Sequence, residues 1–226
     1  MFFCLMTNLS VSNPSLTSTE QSLIHQIDEL LPQTQCEKCE YKGCFAYAKA
    51  IVTESAPINR CPPGGDAVIA SLSQLLNTPI IALNSALGEY KPPQVVRIEE
   101  DFCIGCMKCI IACPVEAIVG ARRLMHTVIK EECTGCELCI PPCPLNCIVI
   151  EPLNPQLGEA SIGLSDWEKT RAAKSRMRFN AKKSRENARN NITDTQPPQE
   201  KALADPVSKS SMLDLINLAR KEFNEK

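Results

Sequence analysis

Twelve of the fourteen cysteines stand in three blocks of four. Cys103, Cys106, Cys109 and Cys113 follow a C-x2-C-x2-C-x3-C-Pro spacing, and Cys133, Cys136, Cys139 and Cys143 repeat it thirty residues later. That run is the bacterial binding pattern for [4Fe–4S] clusters. A looser block lies upstream: Cys36, Cys39, Cys44 and Cys61. The chemistry these residues point to is the movement of single electrons on three [4Fe–4S] clusters.

A four-iron cube needs four thiolates, one for each iron. Two-residue gaps wrap the chain round one face of the cube and supply three of them. In two-cluster ferredoxins the fourth cysteine of each run ligates the other cluster. The expected ligand sets are therefore Cys103, Cys106, Cys109 and Cys143 for one cluster, and Cys133, Cys136, Cys139 and Cys113 for the other, with Cys36, Cys39, Cys44 and Cys61 for the third. Gly105 and Gly135 fall inside the first gap of each run, where a residue without Cβ lets backbone N–H groups approach sulfur. Pro114 and Pro144 turn the chain away after each crossing cysteine. The rival metal is zinc, which favours two separated Cys-x2-Cys pairs. The tandem runs do not have that form, whereas the upstream block is open to a Cys4 zinc reading on spacing alone.

The surroundings fit reduced thiols. No secretory signal and no run of roughly 18 apolar residues is present, so a disulfide framework is not expected. Residues 1–153 carry ten Lys and Arg against sixteen Asp and Glu, while residues 154–226 carry fourteen against ten. An anionic core is followed by a basic tail. Aromatics make up only 4% of the chain, so metal must share the work of an apolar core.

The elements that must position the cysteines give an α+β chain. Residues 1–16 read as a disordered leader. Residues 17–78 read as a small helical domain: a capping box at Thr17–Glu20, an apolar stripe of Leu23, Ile24, Ile27, Leu30 and Leu31, a helix from Phe45 to Ser55 burying Phe45, Ala48, Ile51 and Val52, and a third helix capped by Asp66 that buries Val68, Ile69, Leu72, Leu75 and Leu76. Proline-bearing residues 79–94 read as a linker. Residues 95–153 form an internal repeat in which 103–119 and 133–149 agree at nine of seventeen positions. Each copy predicts a strand, a cluster loop, a helical turn and a second strand, a two-cluster ferredoxin-like arrangement. The tail from 154 predicts a basic helix over Asp166–Arg189, a flexible stretch over 190–208 and a terminal amphipathic helix through Met212, Leu215, Ile216, Ala219 and Phe223.

The stretch LLPQTQCEKCEYKGC (30–44) with INRCPPGG (58–65), and CPVEAIVGA (113–121), MHTVI (125–129) and ECTGC (132–136), resemble the B subunit of the Rnf electron-transport complex, called Rsx in some bacteria. The likeness covers roughly residues 23–153. It implies three [4Fe–4S] clusters in an electron-relay subunit of a membrane complex that links ferredoxin and NAD oxidation–reduction to ion movement. The Rsx variant is linked to re-reducing an iron–sulfur transcription factor. Family members usually begin with a membrane-spanning helix, which this sequence lacks. The tail lies outside the likeness.

Other residues carry weaker signals. Cys147 aligns with Ala117 and reads as a small buried thiol, Cys4 as incidental, and His25 as solvated. His126 reads as a structural histidine ahead of a donor that tunes a cluster. Tyr41 reads as a water shield or simple packing, and Lys42 and Lys108 as solvated. For the basic helix the first reading is a solvated face, then docking to an acidic redox partner or to the chain's own core, then an anionic membrane surface. Nucleic acid ranks last, since only Trp167 and Phe179 offer aromatic faces. No general base, nucleophile or phosphate loop stands out. The expectation is an electron carrier without a substrate site, cytoplasmic or peripheral on the cytoplasmic face of the inner membrane, with a flavoprotein or another iron–sulfur protein at each end. The second reading is a cluster-delivery or redox-sensing protein that docks a partner through its tail.

Overall fold

The computed structural model describes residues 16–153 and 164–194. The expectations for the leader with Cys4, for residues 195–208 and for the terminal amphipathic helix lie outside those residues. The chain divides into two compact units at Lys183 and Ser184. What is described of the second unit is residues 184–194, the closing turns of a helix. The rest concerns the first unit.

Three helices open it. Helix α1 spans Ser18–Leu30 and starts on the expected capping box: the Glu20 N–H donates to Thr17 Oγ1 at 3.2 Å, and the Thr17 N–H donates to Glu20 Oε2 at 2.8 Å. Helix α2 spans Cys44–Thr53 and α3 spans Gly65–Leu76. Ile24, Ile27, Leu31, Tyr47, Ala48, Ile51, Val68, Ile69 and Leu72 form their shared core. Full burial of one such aliphatic side chain stabilises the fold by about 1.5–3 kcal/mol.

Three expectations need correction. Leu75, expected on the buried face of α3, is 36% exposed. Phe45 is 45% exposed and Tyr47 takes the inner position instead. Cys44 must face inward at the start of α2, and Cys44, Tyr47, Ala48 and Ile51 share one face at i, i+3, i+4 and i+7; Phe45 is turned about 100° away. Asp66 does not cap α3: Gly64 holds the N-cap position and Asp66 lies in the first turn, where its charge suits the helix dipole. Residues 79–93 run without a helix or strand longer than a 3₁₀ turn at Ser85–Leu87. They are anchored all the same, with the Asn84 N–H on the Asn59 carbonyl at 3.0 Å and Asn59 Nδ2 on the Ala82 carbonyl at 2.7 Å.

The repeat folds into two small antiparallel sheets. Strand β1 (Gln94–Ile98) pairs with β4 (Ile148–Pro152), with Val96 opposite Ile150. Strand β2 (Ile118–Val119) pairs with β3 (Thr127–Val128). The fold is mixed helix and small sheet, as expected. The first run carries its helical turn as α4 (Lys108–Ala112). The second run has no α-helix at Leu138–Pro142. Pro141 and Pro142 stand where the first copy has Ile111 and Ala112, and they withhold the N–H groups a helix needs.

Helix α5 spans Asp166–Asp194, so residues 190–194, expected in a flexible stretch, are helical. A capping box starts it: Glu168 N–H donates to Ser165 Oγ at 3.3 Å and Ser165 N–H to Glu168 Oε2 at 2.9 Å.

Candidate iron–sulfur centres

The upstream block is built on a polar loop. After Pro32 the backbone enters the left-handed region at Gln33 (φ 53°), Gln35 (φ 54°) and Glu37 (φ 58°). Gln33 and Gln35 are buried and hydrogen-bonded in series. Gln33 Nε2 donates to Asp28 Oδ1 at 2.9 Å, Gln35 Nε2 donates to Gln33 Oε1 at 2.7 Å, and the Cys44 N–H donates to Gln35 Oε1 at 2.9 Å. That chain of bonds fixes the start of α2 against the end of α1. Tyr47 brings the fourth cysteine back: its hydroxyl donates to the Pro57 carbonyl at 2.7 Å and accepts the Arg60 N–H at 3.2 Å, beside Cys61. Cys36, Cys39, Cys44 and Cys61 then line one small cavity.

The two runs are shaped by matched backbone turns. Gly105 (φ 65°) and Gly135 (φ 68°) occupy equivalent places. Their lack of Cβ serves a close backbone contact rather than an approach to sulfur. A Cβ on Gly105 would sit 2.4 Å from the Leu124 carbonyl oxygen, and one on Gly135 2.3 Å from that of Gln94. Met107 and Glu137, each following a second cysteine, are also left-handed at φ 68° and 67°.

Donors to sulfur repeat as well. The Ala117 N–H donates to Cys113 Sγ at 3.1 Å. At the matching place in the second copy, burial opposes ionisation of Cys143, but the N–H groups of Cys147, Leu145 and Asn146 outweigh it and hold the thiol below its ordinary pKa. Cys147 is buried, as expected for an alanine-sized slot, with its sulfur 3.6 Å from Cys143 Sγ. His126 departs from its first reading as purely structural. It is 1% exposed, its Nδ1 lies 3.2 Å from Cys109 Sγ, and its backbone N–H donates to Cys103 Sγ at 3.3 Å. A thiolate accepts, so facing one Nδ1 carries the proton.

The sulfurs fall into three groups. Cys103, Cys106, Cys109 and Cys143 line one cavity together with His126 and Cys147. Cys113, the last cysteine of the first run, lies within electrostatic reach of Cys133, Cys136 and Cys139 of the second. Burial pushes Cys136 up to about 11 and Cys139 up to about 12, and the nearby charges of Cys113 and Cys133 add to both. Burial likewise raises Cys109 to about 11 and lifts Cys39, Cys44 and Cys61. All thirteen described cysteines are free of disulfides. Thiols raised by burial in this way are drawn into the ionised form by a strongly positive centre. Among the described residues, no three His, Cys, Asp or Glu side chains converge as the shell of a single metal ion does. Zinc would need four sulfurs about 2.3 Å from one centre, whereas a four-iron cube spreads its thiolates one to an iron. Donor type and number, four thiols to a set, fit the cube. The cysteine sets named above would hold it, and when bound it takes up and returns one electron without making or breaking a bond to the protein.

The upstream group faces the second run. Lys38, between Cys36 and Cys39, pairs with Glu137, between Cys136 and Cys139, at 3.1 Å. Thr134 Oγ1 donates to the Thr34 carbonyl at 3.0 Å. Across this junction lies α5, and the solvated-face reading of its basic residues is corrected. Arg176 binds Asp28 at 2.5 Å, Ser175 Oγ donates to the Gln33 carbonyl at 2.5 Å, and Arg178 donates to the Val115 and Glu116 carbonyls at 2.7 and 2.9 Å. Lys174 and Arg178 both pair with Glu132. Docking to the chain's own acidic core, the second of the readings, describes α5 up to Lys183. Gln33, Gln35, Asp28 and Tyr47 carry no metal-binding signature and were not legible as supports. His25, Lys42 and Lys108 are exposed, and Tyr41 stacks on Tyr47 at 5.5 Å between ring centroids.

Comparison with known proteins agrees with this geometry. A family model described as "4Fe-4S dicluster domain" matches residues 96–150, and one described as "Putative Fe-S cluster" matches residues 31–63. The B subunit of the ion-translocating oxidoreductase complex of Hahella chejuensis is 57% identical over 145 residues, 64% of this chain and 70% of the relative. Its namesake in an Azoarcus species is 55% identical over 131 residues, 58% and 72% of the two chains. That in Alkalilimnicola ehrlichii is 54% identical over 135 residues, 59% and 73%. The chain is an electron-transfer iron–sulfur protein, and it belongs to the family formed by the B subunits of ion-translocating oxidoreductase complexes.

Proposed function

We propose that the chain relays single electrons through three [4Fe–4S] clusters arranged in series: the Cys36, Cys39, Cys44, Cys61 set, then the Cys133, Cys136, Cys139, Cys113 set, then the Cys103, Cys106, Cys109, Cys143 set. The supporting observation is the junction of Thr34 with Thr134 and of Lys38 with Glu137, which sets the upstream loop against the second run. The protein's own contribution is to hold the thiolates, exclude water with Tyr47 and the aliphatic core, and aim N–H groups at Cys103, Cys113 and Cys143. Such bonds stabilise added negative charge on a cluster and raise its potential.

Redox proteins, including other subunits of such a complex, are the partners of this reading, and the contact proposed is peripheral, at the cytoplasmic face of a membrane. Among the described residues no helix is long and apolar enough to cross a bilayer. Co-purification from detergent-solubilised membranes checks it; recovery only in the soluble fraction contradicts it. The cluster-delivery reading asks for an exposed upstream set, but Cys39, Cys44 and Cys61 are all buried. A reductive titration of the anaerobic full chain tests the relay. Uptake of about three electrons per chain is expected, one for each cluster. Uptake of about two would overturn it.

A further inference from the structure

We propose that α5 is an electrostatic regulator of one cluster: the cations Arg171 and Lys182 bear on two ligands of the same centre, Cys133 and Cys113, and raise its reduction potential. This rests on the three-cluster reading and its crossed ligand sets. The guanidinium of Arg171 donates to the carbonyl of Cys133 and, at 3.2 Å, to that of Gln94. Trp167 covers it on another side, with the guanidinium carbon 5.2 Å from the ring centroid. Lys182 Nζ donates to the carbonyls of Cys113 and Ile111, both at 2.9 Å. Arg171 and Lys182 stand three turns apart on one face of α5. Cys113 closes the first run and Cys133 opens the second, yet α5 reaches both.

The physical effect follows from charge. Reduction adds one negative charge to the centre, and a cation held beside two of its ligands favours the reduced form. Arg171 is partly withdrawn from water, so salt screens it less than an exposed arginine. The Cys103 set is treated differently. There the nearby polar ring is His126 on Cys109. Two cysteine runs of one spacing thus carry unlike surroundings, and α5 supplies the difference from outside the repeat.

The test is an EPR-monitored potentiometric titration of the anaerobically reconstituted full chain. Variants Arg171→Gln, which keeps a donor without charge, and Arg171→Lys, which keeps charge, are compared with the unaltered chain and with His126→Leu. Iron and sulfide are counted for each, so that failure of cluster assembly is seen separately from a change of potential. One midpoint is expected to move negative in Arg171→Gln and to stay in place in Arg171→Lys. It is also expected to differ from the midpoint that moves in His126→Leu. Three unmoved midpoints overturn the proposal, as does an equal shift in the Gln and Lys variants or a shift in the same midpoint as His126→Leu. If Arg171→Gln loses iron, Lys182→Gln is read by the same criterion: a negative shift of that one midpoint supports the proposal and no shift overturns it.

Discussion

Thr134 Oγ1 lies 3.0 Å from the carbonyl oxygen of Thr34, across a hundred residues of sequence. Thr134 adjoins Cys133, and Thr34 stands two residues before Cys36. One hydrogen bond therefore ties the loop of the upstream cysteine set to the loop of the second run. Thr134→Val keeps the shape and removes the donor. The Thr34 carbonyl then loses its partner, and a loss of about 1–2 kcal/mol is expected. Anaerobic denaturant unfolding of the iron-loaded chain measures it; unchanged stability would mean the junction does not hold the two loops together.

Arg176 and Asp28 form a partly buried ion pair in the first unit, with Asp28 Oδ2 2.5 Å from Arg176 Nε, the Asp28 side chain 4% exposed and that of Arg176 26%. Arg176→Met leaves a buried carboxylate with only Gln33 as its side-chain donor. The expected cost is about 3 kcal/mol, because breaking a buried pair strands a charge. Adding Asp28→Asn should recover part of that loss. Thermal unfolding of the single and double variants decides the point, and equal destabilisation by both would contradict it.

The cysteine runs, the capping box of α1 and the apolar faces of α1 and α3 were legible in the sequence, because each rests on spacing between near neighbours. The basic helix was legible as a helix but not as a clasp. Its partners are mostly main-chain carbonyls, at Gln33, Cys113, Val115, Glu116 and Cys133, and a carbonyl leaves no mark in the residue types. Phe45 was misread, and Tyr47 passed over, for a related reason. Hydrophobicity ranks phenylalanine ahead of tyrosine, but the inward-facing Cys44 sets the helix face. The helical turn expected in the second run is absent, and Pro141 and Pro142 were a sequence signal against it that went unused.

His126 should act on one cluster alone. His126→Leu removes the ring donor to Cys109 and keeps the backbone N–H on Cys103. The centre held by Cys103, Cys106, Cys109 and Cys143 is expected to become harder to reduce, with its midpoint more negative and its iron retained. An unmoved midpoint would return His126 to simple packing.

Gly135→Ala should disable the ferredoxin-like part. The new Cβ would meet the Gln94 carbonyl oxygen at 2.3 Å and force a left-handed φ of 68° on alanine. The strain and the clash together exceed about 2 kcal/mol. On the proposed crossing of Cys113 and Cys143 between the runs, iron is expected to be lost from both clusters of the pair. Loss from one cluster only would argue against the crossing.

The most direct measurement is chemical analysis of iron and acid-labile sulfide in the anaerobically purified full chain. Three cubes predict about 12 of each per chain. A value of about 8 would confine cubes to the paired runs and contradict the assignment of Cys36, Cys39, Cys44 and Cys61; zinc in place of iron with no sulfide would contradict the account as a whole.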